Sequence, residues 1–229
     1  MIQAPAEEVD VGEQPGATWP GDPSYPISVV SDIGWGSELL APYYDVLTNK
    51  EEFVLGNTSA TLDGHISRWD EQTGPRIAFR FVGFTVVDLD QDGFPEVVLS
   101  KTATPGGSLI VEYLILYIFN GDVIGTIMSH RGFLHPTTKG FFWSGGGGYQ
   151  SVCTMSFTEG GEVIDTIFDR VTICETFDHP GYYAYYAYGV EVTYEEYVTA
   201  ANLVDWGEQV IWYEFNDSNV QALFSKDCD

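Results

Sequence analysis

The stretch Phe84-Thr85-Val86-Val87-Asp88-Leu89-Asp90-Gln91-Asp92-Gly93-Phe94-Pro95-Glu96-Val97-Val98-Leu99 constrains this chain more than any other. Both flanks are rich in β-formers and poor in helix-formers. Between them three aspartates alternate, Gly93 permits a sharp reversal, and Glu96 follows. The segment therefore predicts two strands joined by an acidic turn. Four carboxylates between Asp88 and Glu96 repel one another once a turn draws them together. A hard divalent cation removes that penalty, and Ca²⁺ takes several oxygens at about 2.3–2.6 Å. Alternating Asp side chains can curl around one centre, with the backbone carbonyl of Phe94 placed to add another oxygen.

The spacing begins like an EF-hand loop and then departs from it, because the last acid comes too early and the flanks are strands. The whole stretch closely resembles the calcium loops of FG-GAP-type repeats and of integrin α-chain β-hairpins. That resemblance implies Asp88, Asp90, Asp92, the Phe94 carbonyl and Glu96 as ligands of a structural Ca²⁺. Gln91 stands where the pattern often has Gly, which is tolerable if its side chain points outward. Glu96 stands where it often has Asp, and its greater length allows ligation directly or through water. The competing reading is an acidic turn that solubilises a hairpin. The glycine and the two β flanks, present together with the acids, favour the metal.

Charge narrows the partners. Lys plus Arg number 9 against 34 Asp plus Glu, a net charge of −25. Such a chain is repelled by phosphate backbones and anionic headgroups, so nucleic acid and membrane surfaces are poor partners and cations are good ones. No apolar run reaches the roughly 18 residues of a transmembrane helix; the longest, around Leu109 to Phe119, is interrupted by Glu112. Hydrophobic residues at 44% nevertheless supply a folded core. Cys153, Cys174 and Cys228 do not make a disulfide framework, and buried thiols are preferred over a Cys153–Cys174 bridge.

Along the chain, residues 1–34 read as an acidic, Pro/Gly-rich linker or tail, and residues 35–229 as a single α+β domain. Helical spacing runs from Leu39 to Asn49, with Pro42 expected in the first turn. Strand-like periodicity follows from Ile77 to about Val192. Asn120-Gly121 predicts a two-residue hairpin, Glu159-Gly160-Gly161 separates two further strands, and Tyr182 to Val192 makes a strand pair bending at Gly189. Thr193 caps a helix, Val210 to Tyr213 forms a short strand, and Ser218 with Gln221 resembles the capping box of a last helix. The expected architecture is a twisted antiparallel sheet, a meander of hairpins, with an N-terminal helix and C-terminal helices.

Several segments in this order carry a second resemblance: Tyr43-Tyr44-Asp45-Val46-Leu47 through Phe53, Gly107-Ser108-Leu109-Ile110-Val111, Arg131-Gly132-Phe133-Leu134, Gly189 through Tyr197, and Trp212-Tyr213-Glu214-Phe215. Together with the acidic hairpin they are similar to a group of exported lipoprotein-like proteins of Gram-positive gut bacteria. The resemblance implies export and supports the hairpin, and it implies no substrate. Met1 to Pro5 lacks the basic start and apolar run of a signal peptide. The opening residues read instead as the spacer after a removed signal or lipid anchor, which predicts an extracellular or cell-surface location.

Other motifs carry less. Ser144-Gly145-Gly146-Gly147-Gly148-Tyr149 lacks the following helix and Lys of a phosphate loop and reads as a hairpin loop. His130 and His135 have no nucleophile elbow to serve. Tyr182-Tyr183-Ala184-Tyr185-Tyr186-Ala187-Tyr188 divides on a strand into Tyr182, Tyr186 and Tyr188 on one face and Tyr183 and Tyr185 on the other. Either face suits sugar stacking, or burial in a core. The leading reading is a secreted or surface-anchored, calcium-binding module without catalysis, with an extracellular glycan or protein as partner. Its alternatives are a carbohydrate-binding module using the tyrosine strand, and a hydrolase whose acids meet only in three dimensions.

Overall fold

The computed structural model describes residues 35–73, 78–104, 110–129, 132, 134–146, 149–158, 161–173, 182–205 and 207–224. The expected linker over 1–34 lies outside them, as do Cys174, Cys228 and His130. Helix α1 (Ser37–Leu47) buries Leu40, Tyr43, Val46 and Leu47, residues that its period brings to one face. It begins two residues earlier than the spacing predicts, so Pro42 lies inside it and not in its first turn. Asn49, just past its end, adopts φ 59°, the left-handed conformation of a helix stop. Strands β1 (Phe53–Leu55) and β2 (Thr58–Ala60) form a small hairpin, and α2 (Leu62–Thr73) follows. The sequence did not announce α2. Its start is made by Thr61, whose hydroxyl accepts the Gly64 N–H at 3.1 Å.

The acidic turn then joins β3 (Ala78–Val87) to β4 (Glu96–Thr104), and Asn120-Gly121 joins β5 (Ile110–Phe119) to β6 (Asp122–Ser129). Both residues of that second turn have positive φ, 54° and 91°, as a two-residue hairpin requires. Further hairpins run through β7 (Leu134–Thr137), β8 (Gly140–Gly146), β9 (Tyr149–Thr158), β10 (Gly161–Ile173), β11 (Tyr182–Ala187) and β12 (Val190–Val192). Helix α3 (Tyr194–Leu203) starts with the Thr193–Glu196 capping box. Strand β13 (Tyr213–Glu214) and α4 (Asp217–Phe224) complete the described chain.

The α+β class and the meander agree with the periodicity. The meander is divided between two sheets, ordered β13-β3-β4-β5-β6-β1-β2 and β12-β11-β10-β9-β8-β7. The first is mixed, because β1 pairs with β6 in parallel. Period 2 sorts the core of this sheet into two. Phe84, Val97, Leu99, Leu114 and Leu116 meet α1 and α4, whereas Val87, Val98, Tyr113 and Ile115 meet Phe141, Cys153 and Met155 of the second sheet. Cys153 is thus a buried thiol in the inter-sheet core. Helix α3 lies on the outer face of the second sheet, over Val152 and Ala187. Tyr117 stacks on Phe157 at 4.4 Å, and Thr126 donates a hydrogen bond to Glu162, tying the sheets together.

Three local expectations need correction. The C-terminal strand is Tyr213–Glu214, not Val210 to Tyr213, because Val210 donates its N–H to Pro136 in the second sheet while Tyr213 pairs with Phe84 in the first. The last helix is capped by Asn216, whose side-chain oxygen accepts the Asn219 N–H at 2.9 Å, and not by Ser218. Tyr188 leaves the strand: with φ 53° it forms the β11–β12 turn together with Gly189 at 76°.

The parallel pairing depends on Gly125 of β6. A Cβ there would stand 2.8 Å from two ring carbons of Phe53, a residue fully buried on β1. Gly125→Ala is expected to lower stability by about 1–3 kcal/mol, read as a lower urea midpoint. An unchanged midpoint would show that the ring can shift without cost.

Candidate metal centre at the β3–β4 turn

The ladder holds to the end of the hairpin, with Val87 opposite Glu96. Leu89 then drops into the inter-sheet core, 1% exposed, and anchors the turn from below. Around that anchor the loop folds on its own carboxylates. Asp88 accepts the N–H groups of Asp92 and Gly93 at 3.1 and 3.0 Å, and Asp90 shares the Asp92 N–H at 3.2 Å. Gln91 adopts φ 61° with its side chain exposed. That conformation is the reason glycine suits the position, and the exposure is the reason Gln is tolerated.

Asp88, Asp90 and Glu96 each bring a carboxylate oxygen within 4.8 Å of the others, a grouping that could hold a metal ion. Two oxygens bound at about 2.4 Å to one calcium are at most about 4.8 Å apart. Of the five expected ligand residues, three are therefore brought together. Asp92 is outside this group, its carboxylate accepting the Phe94 N–H at 2.8 Å, and Phe94 exposes its ring at the loop tip.

Glu96 is only 3% exposed. One of its oxygens accepts the Leu89 N–H at 2.7 Å, the single hydrogen bond to this carboxylate among the described residues. Burial pushes its carboxyl up to about 9; the Leu89 N–H opposes the rise, and the charges of Asp90, Asp88 and Asp92 add to it. Asp90 is also raised, by burial first and by Asp92 next, against N–H groups of Asp92 and of Phe157 on β9. The turn thus touches the second sheet. From the other side of β4, buried Tyr43 of α1 donates its hydroxyl to the Pro95 carbonyl at 2.7 Å. Sequence reasoning missed Tyr43 in this role: its helical spacing marks it as core, and nothing local connects it to residue 95.

The tyrosine strand is arranged otherwise. Tyr185 is half-buried under α3, its ring 5.2 Å from Tyr194 and 5.1 Å from Tyr197, both tilted. Tyr183, 44% exposed, is 6.3 Å from Tyr185 at 44°. Tyr186 is half-buried, Tyr188 projects at the turn, and the side chain of Tyr182 lies outside what is described. The rings on the α3 side form a tilted cluster and not a flat row. The Gly-rich segment joins β8 to β9, as a hairpin loop does. No family model matches the chain, and neither a curated protein nor a solved structure matches it.

The raised Glu96 carboxyl dictates a pH dependence for the metal-free protein. The unfolded group ionises near 4.5, the folded one near 9. Its stabilising contribution is fully present below about 4.5 and is lost as pH rises through 9. In chelator, the protein at pH 7 is expected to be about 3 kcal/mol less stable than this group alone allows at pH 4.5. Glu96→Gln keeps an acceptor for Leu89 and should flatten that slope; urea melts from pH 4.5 to 9 on both proteins check it.

Proposed function

We propose that this chain is an extracellular or cell-surface, non-catalytic binding module whose fold is stabilised by Ca²⁺ held at the β3–β4 turn. The observation that carries the reading is the buried carboxyl of Glu96, facing two further carboxylates with, among the described residues, a single N–H to satisfy it. Buried without a counter-charge, such a group must keep its proton. A divalent cation takes the place of that proton and cancels the repulsion from Asp88 and Asp90 at the same time. Three side chains do not complete a calcium shell of 6–8 oxygens. The Phe94 carbonyl, Asp92 after a small turn of its side chain, and water supply the remainder in this reading. The net charge of −25 concentrates cations around the molecule. No helix among the described residues is long and apolar enough to cross a membrane.

The resemblance to exported lipoprotein-like proteins supports placing the module outside the cell, where calcium is abundant enough for a weak site of about 10⁻⁴–10⁻³ M. A glycan partner at β11 is the second reading, favoured by the exposure of Tyr183 and Tyr188, at 44% and 67%. Glycan binding lost in Tyr183→Ala or Tyr188→Ala would support it.

At free Ca²⁺ of about 100 Kd the fold should gain about 2.7 kcal/mol, or about 5–10 °C in Tm for a chain of this size. Chelator should remove the gain, and Asp90→Ala should not show it. Calorimetry at pH 7 in buffers of different ionisation enthalpy should register release of about one proton per ion, the Glu96 proton. Absence of any heat with millimolar calcium would end the proposal.

A further inference from the structure

On the helix side of the first sheet lies a second buried cluster, which the calcium reading does not use. Lys101 of β4, 1% exposed, forms an ion pair with Glu112 opposite it on β5 and lies 5.0 Å from the Phe79 ring. His65 of α2, 5% exposed, closes over the pair. Its ring stands edge-on to Phe53 at 6.0 Å and stacked on Phe81 at 6.4 Å. His65, Phe81, Lys101 and Glu112 line one gap, too narrow for a water molecule.

Among the described residues the charges in this space balance only while His65 is neutral. Lys101 comes from β4, Glu112 from β5, and Arg68 from the helix itself; Tyr113 of β5 also lines the gap, and burial raises its hydroxyl so that it stays neutral. The faces of β1, β3 and β6 turned to His65 bring Phe53, Phe81 and Ile127, which carry no charge. Among the described residues, a proton on His65 makes two buried cations share the Glu112 carboxylate. Burial and then Lys101 hold the imidazole down to about 4, with Glu112 opposing and Arg68 adding. The element free to relieve the conflict is α2. Among its described side chains only Leu62 and His65 are buried, and the ties of those residues to neighbouring elements, Asp63 N–H to Asn49 and Arg68 to Thr58 and Ser59, are exposed. The strands beneath belong to continuous ladders and cannot move singly.

We infer that α2 is an acid-released flap: protonating His65 above the Lys101–Glu112 pair undocks the helix while both sheets stay folded, uncovering the pair and the rings of Phe53 and Phe81. Hydrogen exchange of the full chain, corrected for intrinsic rates, tests it. Between pH 7.5 and 4, amides of residues 62–73 should lose about a hundredfold in protection, with β3 to β6 still protected. His65→Phe, which cannot take a proton, should keep α2 protected at pH 4. Lys101→Met should do so as well, since protonated His65 then pairs with Glu112; this variant decides the matter if the first does not fold. Unchanged α2 protection in acid, simultaneous loss across the sheets, or release persisting in the variants would each overturn the inference.

Discussion

Strand β4 is buried on both faces, and most of the structure follows from that constraint. From Glu96 to Thr102 every residue is buried, with helices on one side and the second sheet on the other. A strand so placed reads as a nearly continuous apolar run, and Val97-Val98-Leu99 is one. The polar residues at its two ends are the exceptions. Alternation turns Glu96 to the inter-sheet side with Val98, and Lys101 to the helix side with Val97 and Leu99. Neither charge can reach water, and the fold answers each differently. Lys101 meets a carboxylate across the ladder. Glu96 meets two more carboxylates, which leaves a proton or a cation as the way to neutrality.

The hairpin was legible because its signals are local: β-formers on both sides, a glycine in the turn, acids in alternation. The Asn120-Gly121 turn and the Thr193 helix cap were legible for the same reason. Helix α2 was hidden because Gly64 and polar side chains outnumber its apolar residues Leu62, Ile66 and Trp69. The division into two sheets was hidden because period 2 says which side of a strand is buried and not which strand lies beside it. The parallel β1–β6 pair is long-range and no spacing rule anticipates it, while the Lys101–Glu112 contact depends on the exact β4–β5 register.

At the acidic β3–β4 turn the same limit operates within nine positions of chain. Residue types identify an acidic turn with the composition of a calcium loop. They do not reveal that Asp92 spends its carboxylate on the Phe94 N–H, or that Glu96 is the buried member. Those facts depend on Leu89 seating the turn from one side and Tyr43 holding Pro95 from the other.

The stretch from Glu208 to Phe215 runs from one sheet to the other. Its first residues bond to the β7–β8 hairpin, through Thr138 to Glu208 and Val210 to Pro136, and its last join β3 through Tyr213 and Phe215. It acts as a fastener threaded after both halves have been made. During synthesis this last tie between the two sheets is missing until the segment emerges, and the edge of β3 waits uncovered through the production of well over a hundred residues.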